Sequence, residues 1–62
     1  MIYQITDSTD GKFKGTMIEL NSTYQLSEDF LFVPDRKIPL LDGTIRMYNS
    51  NYSIDIKEVT NG

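Results

Sequence analysis

Between residues 38 and 56 the chain alternates apolar and polar side chains around two turns, and this stretch constrains the fold more than any other. It reads Ile-Pro-Leu-Leu, Asp-Gly, Thr-Ile-Arg-Met-Tyr, Asn-Ser-Asn, Tyr-Ser-Ile-Asp-Ile. A period of two marks strands with one buried face. Asp42-Gly43 suits a hairpin turn of two residues, both at positive φ. With that loop Ile38 faces Met47, Pro39 faces Arg46 and Leu40 faces Ile45. Proline cannot donate to a ladder, so its strand belongs at a sheet edge. In the next hairpin Met47 opposite Ile54 sets Ile45 opposite Ile56 and Arg46 opposite Asp55. A slip of one residue would break the apolar face and is disfavoured. Ile38, Leu40, Ile45, Met47, Ile54 and Ile56 are therefore expected inside, with Arg46, Tyr48 and Asp55 outside.

The preceding residues read in the same way. Met1, Tyr3 and Ile5 share one side of an alternating segment. A turn at Asp10-Gly11 sets Tyr3 opposite Ile18, Ile5 opposite Thr16 and Asp7 opposite Lys14. Residues 12–20 read as a second strand, bent at Gly15. Phe13 and Met17 are apolar on its outer side. A turn at 21–23 sets Ile18 opposite Leu26 and Leu20 opposite Tyr24. Ser27-Glu28-Asp29 is a polar break with room for one helical turn, and residues 30–33 read as a buried strand. Residues 34–37 form a turn, and Asn61 and Gly62 are expected to fray. No segment carries a helical period. The expectation is an all-β chain forming one small domain over residues 1–62. Its about five to six short strands are expected to form an SH3-like or Sm-like barrel, or two packed antiparallel meanders. Both halves carry Asp-Gly-x-apolar-basic and later Asn-Ser-x-Tyr-x-aliphatic, a pattern that reads as reuse of turn residues rather than a repeat.

Residues 10–26, DGKFKGTMIELNSTYQL, carry Gly11, Gly15, Leu20, Asn21 and Leu26 at spacings that resemble the first signature motif of Sm-like proteins. Ile45-Arg46 followed by Asn49 resembles the second motif. The resemblance implies a bent five-stranded barrel. Gln25 stands where the family has an RNA-contacting asparagine, Met47 where it has a glycine, and the family's N-terminal helix is absent. RNA contact is therefore not carried over.

The 62 residues include no cysteine and no histidine, and six basic against nine acidic residues leave a charge of −3. A chain this short buries only about 60% of its unfolded surface. Without a disulfide or zinc site to supplement the core, homo-oligomerisation is expected. Imidazole bases and thiolate nucleophiles are excluded. Glu28-Asp29 is the sole adjacent carboxylate pair, and neighbours on a strand point to opposite faces. No enzyme, cofactor or metal site is expected. Asn21-Ser22-Thr23 and Asn51-Tyr52-Ser53 fit the N-glycosylation pattern but read as turns. No run approaches the roughly 20 apolar residues of a membrane span. The N-terminus lacks the pattern of a signal peptide. The absence of cysteine fits the cytoplasm, and the chain reads as a complete small gene product.

Net negative charge opposes nucleic-acid binding. Exposed aromatic residues, Met and Arg are the types enriched at protein interfaces. Phe13, Met17, Arg46 and Tyr48, with the edge at Pro39, are therefore the expected partner-binding residues. The expected function is a non-catalytic regulator or inhibitor that binds another protein, of the kind phages encode against a host or defence factor. The alternatives are a nucleic-acid-binding small barrel of Sm-like or OB-like type and an oligomeric protein that sequesters a small ligand.

Overall fold

A computed structural model describes residues 1–60, and within them the chain forms strands and turns without a helix. The strands are β1 (Ile2–Ser8), β2 (Met17–Glu19), β3 (Tyr24–Ser27), β4 (Phe30–Phe32), β5 (Arg36–Pro39), β6 (Ile45–Tyr48) and β7 (Ser53–Glu58). Five of them form one antiparallel sheet in the order β2-β1-β7-β6-β5, while β3 and β4 form a separate hairpin. The larger sheet does not close on itself, so the expected barrel is not formed: β2 and β5 are its edges. The hairpin packs over its inner face. Tyr24, Leu26 and Phe32 from the hairpin meet Tyr3, Ile5, Met47, Ile54 and Ile56 from the sheet in one buried cluster. The expected fraying of the last two residues lies outside the described residues.

Two registers follow the apolar pattern as expected. β6 and β7 pair Ile45 with Ile56, Arg46 with Asp55 and Met47 with Ile54. Tyr3 pairs with Ile18 across β1 and β2. In the first of these the pleat excludes every slip by one residue, which would expose Met47, Ile54 and Ile56.

The register of β5 on β6 differs by one residue. Ile38 lies opposite Arg46, Pro39 opposite Ile45 and Lys37 opposite Met47. The turn is the cause. Leu40 N–H donates to Thr44 O and Gly43 N–H to Leu40 O, so the loop is the three residues Leu41, Asp42 and Gly43. Only Gly43 has positive φ, at 90°. Asp42 keeps an ordinary conformation and its carboxylate accepts the Thr44 N–H at 2.9 Å. This is a type I turn closed by a glycine bulge. Asp-Gly serves that turn as well as the two-residue one, and the added loop residue moves Ile38 from the inner face to the outer.

The same device occurs at Asp10-Gly11. Gly11 N–H donates to Ser8 O, and the Asp10 carboxylate accepts the Lys12 N–H. Here no hairpin follows directly. Residues 12–15 continue as turns, and Gly15, at φ 90°, donates its N–H to Ile5 O. The second strand is thus three residues long and not the nine expected over 12–20. Phe13 turns inward, where it meets Phe30 and Tyr52 edge-on at centroid distances of 5.6 and 6.2 Å. Asp7 has no partner at Lys14, because residues 12–15 are turns and β2 begins only at Met17. On its other side it faces Asp55, where a bulge between Ile5 and Asp7 shifts the β1–β7 ladder. That bulge turns Asp7 outward, where strict alternation with Tyr3 and Ile5 would have buried it.

β3 does not pair with β2. It pairs with β4 through a short Glu28-Asp29 loop, where a helical turn was an option, with Ser27 opposite Phe30. Closing two residues costs less chain entropy than a longer connection. The pairing also places Tyr24 opposite Phe32 on the buried side. Leu31 is exposed on the other side, so residues 30–33 are not buried throughout. The DG-to-Tyr likeness of the two halves ends at the turns, since Lys12 and Phe13 lie in a loop while Thr44 and Ile45 lead into a strand.

Phe32→Ala removes a ring that is 1% exposed at the centre of the core. It should cost about 3–5 kcal/mol, enough to unfold much of a domain this small, as urea titration followed by circular dichroism would show. At Gly43 an added Cβ would meet only Lys57 Cε, at 3.9 Å. Gly43→Ala should therefore carry the conformational cost alone, roughly 1–2 kcal/mol, read from the same titration.

Candidate functional site: the outer face and free edge of β5 and β6

The one-residue shift at Gly43 brings a particular set of side chains together. Arg36 lies opposite Tyr48, and Ile38 opposite Arg46, all on the outer face. All four residues of β5 are exposed. Ile38 is 40% exposed, and Leu41 at the loop tip projects fully into solvent. Tyr48 is half-buried. Lys37 points the other way, to the hairpin, where its Nζ donates to Asn21 O at 2.9 Å and lies over the Tyr24 ring.

The edge itself follows from the ladder. Leu40 and Thr44 form a hydrogen-bonded pair. Hydrogen-bonded and open pairs alternate along an antiparallel ladder. Ile38 and Arg36 therefore direct their N–H groups at β6, while Lys37 directs N–H and C=O away from it. Pro39 also faces outward, so its missing N–H falls on the free side and no ladder bond is lost. This is the edge placement that a proline in a strand requires.

Arg46 is held by the cross-strand partner that the register gives it. Its Nε and Nη2 donate to both carboxylate oxygens of Asp55, at 2.9 and 3.0 Å. Asp7 stands opposite Asp55 across β1 and β7. The Asp55 contact chiefly, with Asp7 and Asp42 nearby, raises the Arg46 pKa further above its already high value. Arg46 thus ties β6 to β7 through Asp55 and offsets the charge of Asp7, which faces Asp55 from β1. Asp7, Ser8, Thr9, Arg46, Ser53 and Asp55 line a shallow hollow beside this pair. The Thr9 and Ser53 hydroxyls are engaged with each other, Ser53 N–H donates to Thr9 Oγ1 at 2.9 Å, and Ser8 Oγ donates to the Asp10 carboxylate.

The five residues singled out from sequence separate into three places. Pro39, Arg46 and Tyr48 lie on β5 and β6. Met17 is exposed on β2, at the opposite edge of the sheet, where it borders a hollow with Met1, Ile2, Glu58, Val59 and Thr60. Phe13 is packed against the core under the hairpin. Arg36 and Ile38 belong to the outer face but were not anticipated there, since both sides of the register depended on the loop at Gly43. Among the described residues no cluster of three or more metal-ligating side chains occurs, and no helix is long and apolar enough to cross a membrane. Compared with protein families, with curated proteins and with solved structures, the chain matches none.

Arg46→Gln removes the cation paired with Asp55 and leaves that carboxylate opposite Asp7. The thermal midpoint should fall at low ionic strength, and the gap to wild type should narrow in about 1 M NaCl, where charges are screened within about 3 Å. An equal gap at both salt concentrations would argue against an electrostatic origin.

The hydrogen bond from Tyr52 to Asp10 chiefly, with the Lys12 N–H, holds the Asp10 carboxyl below its ordinary range; the Thr44 N–H does the same for Asp42. A lowered carboxyl pKa stabilises the fold above the unfolded value, and that contribution disappears as pH falls through the folded value. Stability should therefore decline below about pH 4. Tyr52→Phe, lacking the donor to Asp10, should lose less stability on acidification than wild type, as urea midpoints measured between about pH 5 and pH 2 would record.

Proposed function

We propose that this chain is a non-catalytic protein-binding regulator or inhibitor whose contact surface is the outer side of β5 and β6. One observation carries the reading: an exposed edge strand, Arg36–Pro39, stands beside Tyr48 and carries a cation, an aliphatic side chain and unpaired backbone groups together. Such mixed surfaces of Arg, Tyr and aliphatic groups supply the anchors of protein interfaces. The absence of histidine and cysteine supports a role without acid–base or thiol chemistry. A small cytoplasmic inhibitor of a host or defence protein, of the kind phages encode, fits the same features.

Affinity capture of the tagged chain from its native host, followed by mass spectrometry, tests the reading when run beside two variants. A specific partner should be retained by wild type and lost by Tyr48→Glu, with Met17→Glu at the opposite edge leaving capture unchanged. Equal capture by all three would remove the β5–β6 side as the contact surface. Light scattering on the same preparations reports whether the chain assembles with itself, and a mass near 7.1 kDa would sink the proposed homo-oligomer.

A further inference from the structure

We infer, resting on the contact surface proposed above, that β5 seats an extended segment of a partner protein, antiparallel, with an apolar side chain opposite Ile38 and a carboxylate opposite Arg36. The backbone sets the class of occupant. Lys37 offers an N–H and a C=O to the free side, and Pro39 offers a C=O, at the spacing of alternate strand residues. An added strand matches that spacing. A residue opposite Lys37 exchanges both bonds with it, and the residue two positions earlier donates to Pro39 O. Pairing ends there, because Pro39 returns no N–H.

Charge sets the sequence of the occupant. Arg36 and Lys37 are consecutive cations, and β5 carries no acid. Asp35 precedes Arg36 and bounds the basic stretch. Lys37 Nζ is already engaged by Asn21 O, whereas no side-chain bond is made by Arg36 among the described residues. Antiparallel alignment reads the partner from Pro39 back to Arg36. The apolar residue opposite Ile38 therefore comes first, and the carboxylate opposite Arg36 comes two positions later.

A second copy of this chain fits less well. Pairing two β5 strands about Ile38 would set Lys37 opposite Pro39 of the other copy, leaving the Lys37 C=O without a donor. Pairing about Lys37 instead would satisfy those groups but set the two Lys37 side chains directly opposite, and like charges so placed are destabilising. Lysine and proline on an edge are devices that prevent self-pairing. An acidic strand relieves the repulsion that a second copy would meet.

The test is fluorescence anisotropy with a labelled peptide, Ser-Thr-Thr-Val-Thr-Glu-Ser, in which Val is placed opposite Ile38 and Glu opposite Arg36. Wild type should bind it about tenfold or more tightly than the same peptide with Lys in place of Glu. Arg36→Glu should reverse that preference. A peptide N-methylated at the Thr between Val and Glu, which cannot donate to Lys37 O, should bind about tenfold more weakly. Lys37→Ala keeps the outward N–H and should retain binding, whereas Lys37→Pro should lose it. The methylated peptide keeps the test valid if Lys37→Pro does not fold.

Absence of binding by the Glu peptide, or equal binding of the methylated one, would overturn the inference. Binding that responds to Arg36→Glu and Tyr48→Glu but not to methylation would do so while leaving the contact surface standing. A dimer in sedimentation velocity that Arg36→Glu strengthens would assign the edge to a second copy. Tighter binding of a single-stranded oligothymidine than of the Glu peptide would assign the face to nucleic acid.

Discussion

Tyr52 is the point at which the separate parts of this chain are joined. Its ring lies within 4.8 Å of Phe30, 5.8 Å of Phe32 and 6.2 Å of Phe13, centroid to centroid. Its hydroxyl donates to the Asp10 carboxylate, and its backbone N–H to Asn49 Oδ1. One residue therefore ties the β3–β4 hairpin, the loop after β1 and the β6–β7 turn. A two-stranded hairpin is marginal in water by itself. This one is held because its aromatic side finds Tyr52, Phe13 and the inner face of the sheet. With no disulfide, that packing must supply the cohesion.

The inner and outer faces of the sheet consequently have different roles. The inner face is occupied by the hairpin and supplies the apolar core. Among the described residues no layer lies above the outer face, and the sheet ends at β2 and β5 without closing. Closed barrels remove their edges, whereas an open sheet must manage them. Here β2 is kept to three residues, and β5 carries Lys37 and Pro39. The surface proposed for partner binding is the one that this architecture leaves with unpaired backbone groups, which connects the open topology to the function suggested for it.

Much of the β6–β7 side was legible in the chain. Met47, Ile54 and Ile56 alternate so strictly that a slip by one residue would expose them, and the register observed keeps all three buried. The edge position of Pro39 was equally legible, because proline lacks the donor that an interior strand needs. Phe13 was not. It stands between Lys12 and Lys14 in what reads as a strand, and only the turns at residues 12–15 carry it beneath the hairpin. The partner of β3 was also hidden. Tyr24 and Leu26 would bury equally well against β2 or β4, and the short loop at Glu28-Asp29 decides between them. The Sm-like spacing of residues 10–26 is distributed over a turn, a short strand and a separate hairpin, and so does not yield a barrel.

By itself the sequence determined the all-β class, the two apolar alternations with their β1–β2 and β6–β7 registers, and the Arg46–Asp55 pair. These follow from side-chain period and turn chemistry, both of which act over a few residues. The tertiary structure decided which hairpin covers the sheet, whether the sheet closes, and which face Ile38 and Arg36 occupy. Those outcomes turn on one loop residue at Leu41-Asp42-Gly43 and on the aromatic contacts of Tyr52. Asp-Gly is compatible with loops of either length, and contacts between distant aromatic residues leave no periodic trace in the chain.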